Sequence, residues 1–207
     1  HFWQVERGDY AWLTPVLNTL YQDFLPKDIQ QYLSSEKVSQ TIVVQAADTI
    51  AETEFMLALA EQHDFIAGVV GWVDMENPDA ISQLMRLKQN QYFKGIRPMI
   101  QEIENVDWML SPALTPVFDA LIDLELTFDA LVLPQHLANL NQLLIKHPKL
   151  KVVIDHGAKP NIADAKGIAI SQSMNKQWAE DLKALSKHTN VYCKLSGLIT
   201  EAGEQAD

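Results

Sequence analysis

The sequence lacks features that several common classes of protein require. It has a single cysteine, Cys193, which excludes an internal disulfide and is typical of a reducing compartment, so we expect a cytoplasmic protein. Basic residues are scarce, because 16 Lys and Arg face 27 Asp and Glu and the net charge is −11. Such a chain repels the phosphates of nucleic acids and of anionic membranes, and neither is an expected partner.

Long apolar runs and nucleotide-binding loops are also missing. The longest apolar run, residues 65–73, has nine residues including two glycines, whereas a membrane-spanning helix needs about 20. No Gly-x-Gly-x-x-Gly or Walker-type loop follows any apolar run. The composition is that of an ordinary globular protein, 47% hydrophobic and 21% charged over 207 residues, which can build a core without disulfides or metal.

Six short runs of β-branched and apolar residues predict strands. They are continuous rather than alternating, which is typical of strands buried on both faces of a parallel sheet. The segments between them have helical spacing and helix start signals: Thr49 with Glu52 forms a capping-box pattern, and Ser111 before Pro112 predicts an N-cap and a first-turn proline. The predicted strands are Thr41–Ala47, Ile66–Val73, Phe93–Ile100, Leu126–Leu133, Lys151–Asp155 and Asn190–Leu198.

The alternation of strands and helices predicts a βα series with a parallel sheet and right-handed crossovers. A doubly wound open sheet and a (β/α)₈ TIM barrel both fit this order. The lack of a nucleotide-binding loop argues against the open sheet. Six units, with a further strand expected just before His1, favour a barrel that lacks its first strand and its last βα unit here. We predict one domain over residues 1–207, truncated at both ends.

Polar residues at the ends of the predicted strands are the candidates for a functional site, because ligands bind beyond the carboxyl ends of parallel strands. Alternation along a strand places His156 on the face of Val152 and Ile154, and it turns Lys194 and Ser196 toward the barrel axis. The candidates are Gln45, Trp72, Asp74, Arg97, Asp129, His156 with Lys159, and Lys194 with Ser196.

Three of these candidates carry distinctive chemistry, and each has a plainer alternative. His156 can bind a divalent metal or polarise a carbonyl group, or it can cap a loop. Arg97 can clamp an oxygen ligand with its planar fork, or it can form an internal ion pair. Lys194 has the same alternative, as the buried partner of an acid.

A series of short segments, in this order, resembles one family. The series is similar to the amidohydrolase-related hydrolases, in the branch that includes L-fuconolactonase, L-rhamnono-lactonase and the 2-pyrone-4,6-dicarboxylate lactonases, and it covers nearly the whole chain. The segments are His1-Phe2-Trp3, as the tail of a His-x-His-Phe-Trp signature, Asp23–Pro26, Val43–Ala46, Glu52–Phe55, Val70–Asp74, Lys94–Pro98, Ile154–Pro160 and Cys193–Leu198.

The resemblance implies a (β/α)₈ barrel whose site has a His-x-His pair after the first strand, a histidine after the sixth and an aspartate after the eighth. His1 matches the second histidine of the pair and His156 the sixth-strand histidine; the aspartate, the expected general base, would lie beyond Asp207. His1 and His156 would polarise the substrate carbonyl, either directly or by holding one divalent metal ion, with zinc the first choice. Metal-independent catalysis is the alternative.

The resemblance also implies a function, the hydrolysis of a sugar-acid or related lactone by attack of water on the ring ester, as part of carbohydrate catabolism. We expect His1, Arg97 and His156 to converge as the catalytic residues, with Gln45, Trp72 and Lys194 lining the same cavity to bind a small-molecule lactone. The alternatives are a metal-dependent decarboxylase of a related branch and a non-catalytic barrel that binds a ligand.

Overall fold

The computed structural model describes residues 1–163 and 169–202, and within these ranges the chain forms six α-helices and six strands. The helices are α1 (Pro26–Ser35), α2 (Ile50–Gln62), α3 (Ala80–Leu87), α4 (Thr115–Asp123), α5 (Leu137–Lys146) and α6 (Ala169–Leu185). The strands are β1 (Thr41–Val44), β2 (Ile66–Gly71), β3 (Phe93–Ile96), β4 (Thr127–Ala130), β5 (Lys151–Ile154) and β6 (Val191–Cys193). The six predicted strands are confirmed, and each begins within one residue of its predicted start.

The chain divides into two compact units, His1–Arg97 and Pro98–Asp207. In the first unit β1 pairs with β2 and β2 with β3, all in parallel. In the second unit β4 pairs with β5 and β5 with β6, again in parallel. Within each unit the strands are neighbours in chain order, as successive βα units of a barrel are, whereas a doubly wound sheet reverses its order at a switch point. The single domain over residues 1–207 stays a prediction.

The core of the first unit forms where α2 packs on β2. Thr49 caps α2 as expected, because its side chain accepts a hydrogen bond from the Glu52 amide at 3.0 Å. Thr53, one residue further on, lies against Gly71 so closely that a Cβ at position 71 would be 2.4 Å from the Thr53 Cγ2 atom. Glycine at position 71 therefore sets the distance between the helix and the end of its strand.

The core of the second unit is built from aromatic and leucine side chains of α4, β4 and α5. Phe118 and Phe128 are fully buried and pack edge to face, with ring centroids 5.2 Å apart. The predicted start of α4 is wrong by a few residues: Pro112–Leu114 forms a 3₁₀ turn, and Ser111 makes no side-chain cap. A second proline, Pro116, provides the first turn of α4 instead.

Candidate active site

Polar residues follow each strand of the first unit at its carboxyl end. Gln45, Trp72 and Arg97 come directly after β1, β2 and β3. Gln45 and Arg97 hold each other: the Gln45 amide Nε2 donates to the Arg97 carbonyl at 2.8 Å, and the Arg97 guanidinium donates to the Gln45 carbonyl. Gln45 is fully buried and Arg97 nearly so. The guanidinium is therefore fixed in place at the end of the strands by the backbone of its neighbour.

Trp72 is held by the same contact that brings α2 close to β2. Its backbone N–H donates to the Thr53 hydroxyl at 2.8 Å, and its side chain is half-buried. The backbone of Trp72, a predicted substrate-binding residue, is therefore fixed by the neighbouring helix α2. Its role in binding stays a prediction.

His1 lies beside the end of β1. Its ring Nδ1 is 2.7 Å from the carbonyl oxygen of Val44, the last residue of that strand. A carbonyl oxygen only accepts, so Nδ1 carries the proton, and in the neutral ring the lone pair lies on Nε2. The segment after His1 is anchored where Trp3 and Phe24 form a β-bridge, and Trp3 is buried with Tyr10, Leu13, Ala46 and Ala47.

Glu52 is a buried acid of the first unit that was not predicted from the sequence as a site residue. Glu52 is fully buried; its carboxylate accepts from the Tyr10 hydroxyl at 2.7 Å and from the Ala46 amide at 3.2 Å, with Arg7 at 3.7 Å. Burial raises the pKa of Glu52, and the hydrogen bonds from Tyr10 and Ala46 oppose that shift. The carboxylate fixes the backbone next to Gln45. Tyr10 and Arg7 lie far from Glu52 along the chain, so no local pattern revealed these two contacts.

In the second unit, Lys194 is the centre of a cluster of buried charges. Its ammonium lies 2.6 Å from a carboxylate oxygen of Asp129 and 2.6 Å from one of Asp155. The two acid side chains are 3% and 1% exposed. Burial raises the pKa of Asp129, and the Lys194 charge opposes that rise. The ion-pair alternative for Lys194 is thus what the structure has, and Asp155 is a partner that the sequence analysis did not single out.

His156 lies in a left-handed turn directly after β5. Four successive residues have positive φ: His156 at 52°, Gly157 at 58°, Ala158 at 60° and Lys159 at 50°. Each left-handed residue other than glycine costs about 1–2 kcal/mol, so such a run needs support from its surroundings. The Gly157 amide donates to the Lys194 carbonyl at 3.1 Å, and the Trp178 indole donates to the Gly157 carbonyl at 2.7 Å.

The imidazole of His156 is half-buried and contacts the loop after β6. Its Nδ1 lies 3.0 Å from the Ser196 hydroxyl. The structure therefore brings Ser196 to His156 and Lys194 to Asp129 and Asp155, all at the carboxyl ends of β4, β5 and β6. The convergence of His1, Arg97 and His156 on one substrate stays a prediction.

His1 has the arrangement of a metal-binding histidine, since its Nδ1–H donates to a carbonyl and its lone pair lies on Nε2. His156 offers the same donor type. A closed metal site needs more ligands than two, and among residues 1–163 and 169–202 no group of three or more His, Cys, Asp or Glu is placed to hold a metal. In the same ranges, no helix is long and apolar enough to cross a membrane.

Comparison with solved structures identifies the fold class. A protein of Bordetella bronchiseptica described as an uncharacterized TIM-barrel protein matches with a TM-score of 0.57 at 12% identity, covering 83% of this chain and 59% of that one. An amidohydrolase of Burkholderia multivorans matches with a TM-score of 0.89 at 27% identity, covering 98% of this chain and 70% of that one. The prediction of a (β/α)₈ TIM-barrel fold is confirmed.

Comparison of sequences gives the family. The family model described as amidohydrolase matches residues 1–207, and the chain belongs to this family. An L-fucono-1,5-lactonase of Burkholderia ambifaria is 41% identical over 207 residues, which are the whole of this chain and 69% of that protein. The amidohydrolase of B. multivorans has also been solved with zinc bound. The resemblance seen in the short segments is confirmed, and so is the prediction of a hydrolase.

Proposed function

We propose that the protein hydrolyses a sugar-acid lactone, with L-fucono-1,5-lactone the first substrate to test. The observation that carries the proposal is the 41% identity, along the whole chain, to a protein named L-fucono-1,5-lactonase. Hydrolysis of a lactone adds water across the ring ester: the water oxygen bonds to the carbonyl carbon, and the ring oxygen leaves with a proton. The reaction needs hydrogen-bond donors or positive charge near the carbonyl oxygen, where negative charge develops.

The proposal assigns His1 and His156 to the carbonyl oxygen and Arg97 to substrate orientation. Arg97 suits that role because its guanidinium is fixed against the Gln45 carbonyl and is pre-organised for a ligand. Gln45, Trp72 and Lys194 are proposed to line the substrate pocket. A divalent ion, zinc first, would be held by His1 and His156 and would supply positive charge at the same oxygen; metal-independent hydrolysis is the alternative. The proposed location is the cytoplasm.

A panel of sugar-acid lactones tests the reaction. The full-length protein is assayed by acid release, with and without a chelator, and the products are identified as ring-opened acids. Carbon dioxide as a product would instead identify a decarboxylase. A folded protein that opens none of the lactones would contradict the proposal.

Two variants test the assigned roles. His156→Ala removes a group that stabilises the developing charge, and kcat should fall about 10²–10³-fold. Arg97→Lys keeps the charge and loses the fork, so KM should rise more than kcat falls. His63→Ala is the matched control, because His63 lies at the end of α2, ahead of β2, and should keep wild-type kinetics. Near-wild-type kcat in His156→Ala would refute the assignment.

A further inference from the structure

The two histidines of the proposed site differ in the partner of their Nδ1 atom. His1 Nδ1 contacts a backbone carbonyl, that of Val44, at 2.7 Å. His156 Nδ1 contacts a side-chain hydroxyl, that of Ser196, at 3.0 Å. A carbonyl only accepts a hydrogen bond, whereas a hydroxyl both donates and accepts. The carbonyl fixes one tautomer of His1, and the hydroxyl permits either tautomer of His156.

The tautomer decides what each Nε2 atom can do. A neutral ring with its proton on Nδ1 has only a lone pair on Nε2, which can bind a metal but cannot donate to a carbonyl oxygen. A ring whose Nδ1 accepts a hydrogen bond carries its proton on Nε2 and can donate it. His1 can therefore donate through Nε2 only as the charged imidazolium, whereas the partner of His156 allows its neutral ring to donate.

The loop after β6 is shaped to keep Ser196 against the His156 ring. Gly197 has a φ of 68°, and a Cβ there would lie 2.8 Å from Nδ1 and 2.9 Å from Cγ of His156. Only glycine lets the loop approach the imidazole this closely. Two backbone hydrogen bonds hold the segments together, from the Lys194 amide to the Ile154 carbonyl at 2.9 Å and from the Gly157 amide to the Lys194 carbonyl at 3.1 Å.

We propose that Ser196 is a positioning residue that donates its hydroxyl proton to Nδ1 of His156 and so keeps Nε2 of His156 protonated, in the opposite tautomer to His1. The proposal rests on the proposed function in its metal-independent form, because a lactone carbonyl needs a hydrogen-bond donor as charge develops on its oxygen, and a protonated Nε2 cannot at the same time bind a metal ion. His156 then provides this donor, and His1 keeps a lone pair on Nε2. Gly197 is also needed for this positioning, since any side chain at position 197 displaces the His156 ring from Ser196.

Nitrogen chemical shifts test the tautomers without any assay of activity. The full-length protein, with ¹⁵N-labelled histidine and treated with a chelator, is studied at about pH 8, where an ordinary imidazole is neutral. His156→Gln assigns the signals of position 156. We expect protonated Nε2 and bare Nδ1 for His156, and the reverse for His1. Protonated Nδ1 in wild-type His156 would overturn the proposal.

Variants at position 196 test the role of the hydroxyl. Ser196→Ala should give His156 a mixture of tautomers and lower kcat about 10–100-fold, the usual cost of losing such a supporting contact, with KM changed less. Ser196→Thr keeps the hydroxyl and should restore both the spectrum and kcat. Ser186→Ala is the control, because Ser186 lies just beyond α6, donates its hydroxyl to the Lys183 carbonyl at 2.9 Å, and should change neither readout when it is replaced.

The outcomes separate this proposal from the proposed function. If Ser196→Ala leaves the His156 tautomer unchanged, the positioning role is refuted even in an active lactonase. If the tautomers and their response to Ser196→Ala are as expected but no lactone is opened, the positioning role is supported and the proposed function fails. Gly197→Ala should reproduce the Ser196→Ala spectrum, because it displaces the ring from the hydroxyl.

Discussion

Removal of the Lys194 charge should be among the most destabilising single changes in the second unit. Lys194→Met keeps most of the aliphatic side chain but leaves Asp129 and Asp155, only 3% and 1% exposed, without their cation. Breaking a buried pair by removing one partner costs about 3–5 kcal/mol. For a chain of this size that corresponds to a fall in Tm of about 6–20 °C.

The loss of stability in Lys194→Met should increase with pH. Burial already raises the pKa of Asp129 above its ordinary 3.8, and without Lys194 the Asp155 charge adds to that rise and only the hydrogen bond from the Thr127 hydroxyl opposes it. A carboxyl group with a higher pKa in the folded state than in the unfolded state favours folding at low pH. This contribution is lost as pH rises through the folded-state pKa. The difference in stability between Lys194→Met and wild type should therefore be larger at pH 8 than at pH 5.

Urea denaturation and calorimetry at both pH values measure the effect. The control is Lys176→Met, which breaks an exposed pair with Glu180 at 4.0 Å and should cost less than about 0.5 kcal/mol. Adding Asp129→Asn and Asp155→Asn to Lys194→Met should recover part of the loss, since neutral amides cost less to bury than carboxylates that have lost the Lys194 ammonium. A Lys194→Met variant as stable as the control variant, at both pH values, would refute the reasoning.

Two further predictions concern the first unit. Gly71→Ala should lower the free energy of unfolding by about 1–3 kcal/mol, because the new methyl group overlaps the Thr53 side chain; urea titration measures it, and a loss under about 0.5 kcal/mol would show that Thr53 moves aside freely. Glu52→Gln should reduce the amount by which the free energy of unfolding falls between pH 5 and pH 8. Burial raises the pKa of Glu52 above 4.5, so its contribution to stability falls as pH rises through the folded-state value, and an unchanged pH dependence would exclude Glu52 as its source.

The strands could be predicted from the sequence because continuous apolar runs are a local signal. The residues at which the strands end could not be predicted, and β1 shows the reason. The apolar run continues to Ala47, but the Ala46 amide donates to the buried carboxylate of Glu52 instead of extending the ladder. That acceptor lies on a helix that begins after the strand has ended, and a pattern of hydrophobicity along the strand does not contain it.

Candidate site residues could be selected from the sequence by type and position, but their contacts could not. Gln45, Arg97 and Lys194 became candidates because of their positions at strand ends. The reciprocal hydrogen bonds between Gln45 and Arg97, and the contacts of Lys194 with two acids, depend on which strands lie side by side. The alternation of side chains along β5 also did not predict the direction of His156. The strand ends at Ile154 and the chain enters a left-handed turn, so alternation no longer fixes the direction of the His156 side chain.

The left-handed turn is the strongest structural argument against a plain loop role for His156. Three residues without the freedom of glycine, His156, Ala158 and Lys159, adopt conformations that cost about 1–2 kcal/mol each. Single left-handed residues also occur elsewhere in this chain, at Lys37 and Glu125, whereas here four stand in a row. The turn persists because the Lys194 carbonyl, the Trp178 indole and a 2.7 Å bond from Lys159 Nζ to Gln101 Oε1 all hold it. Strain kept in place by so many contacts is typical of a residue whose position matters for function, and it supports the assignment of His156 to the reacting carbonyl.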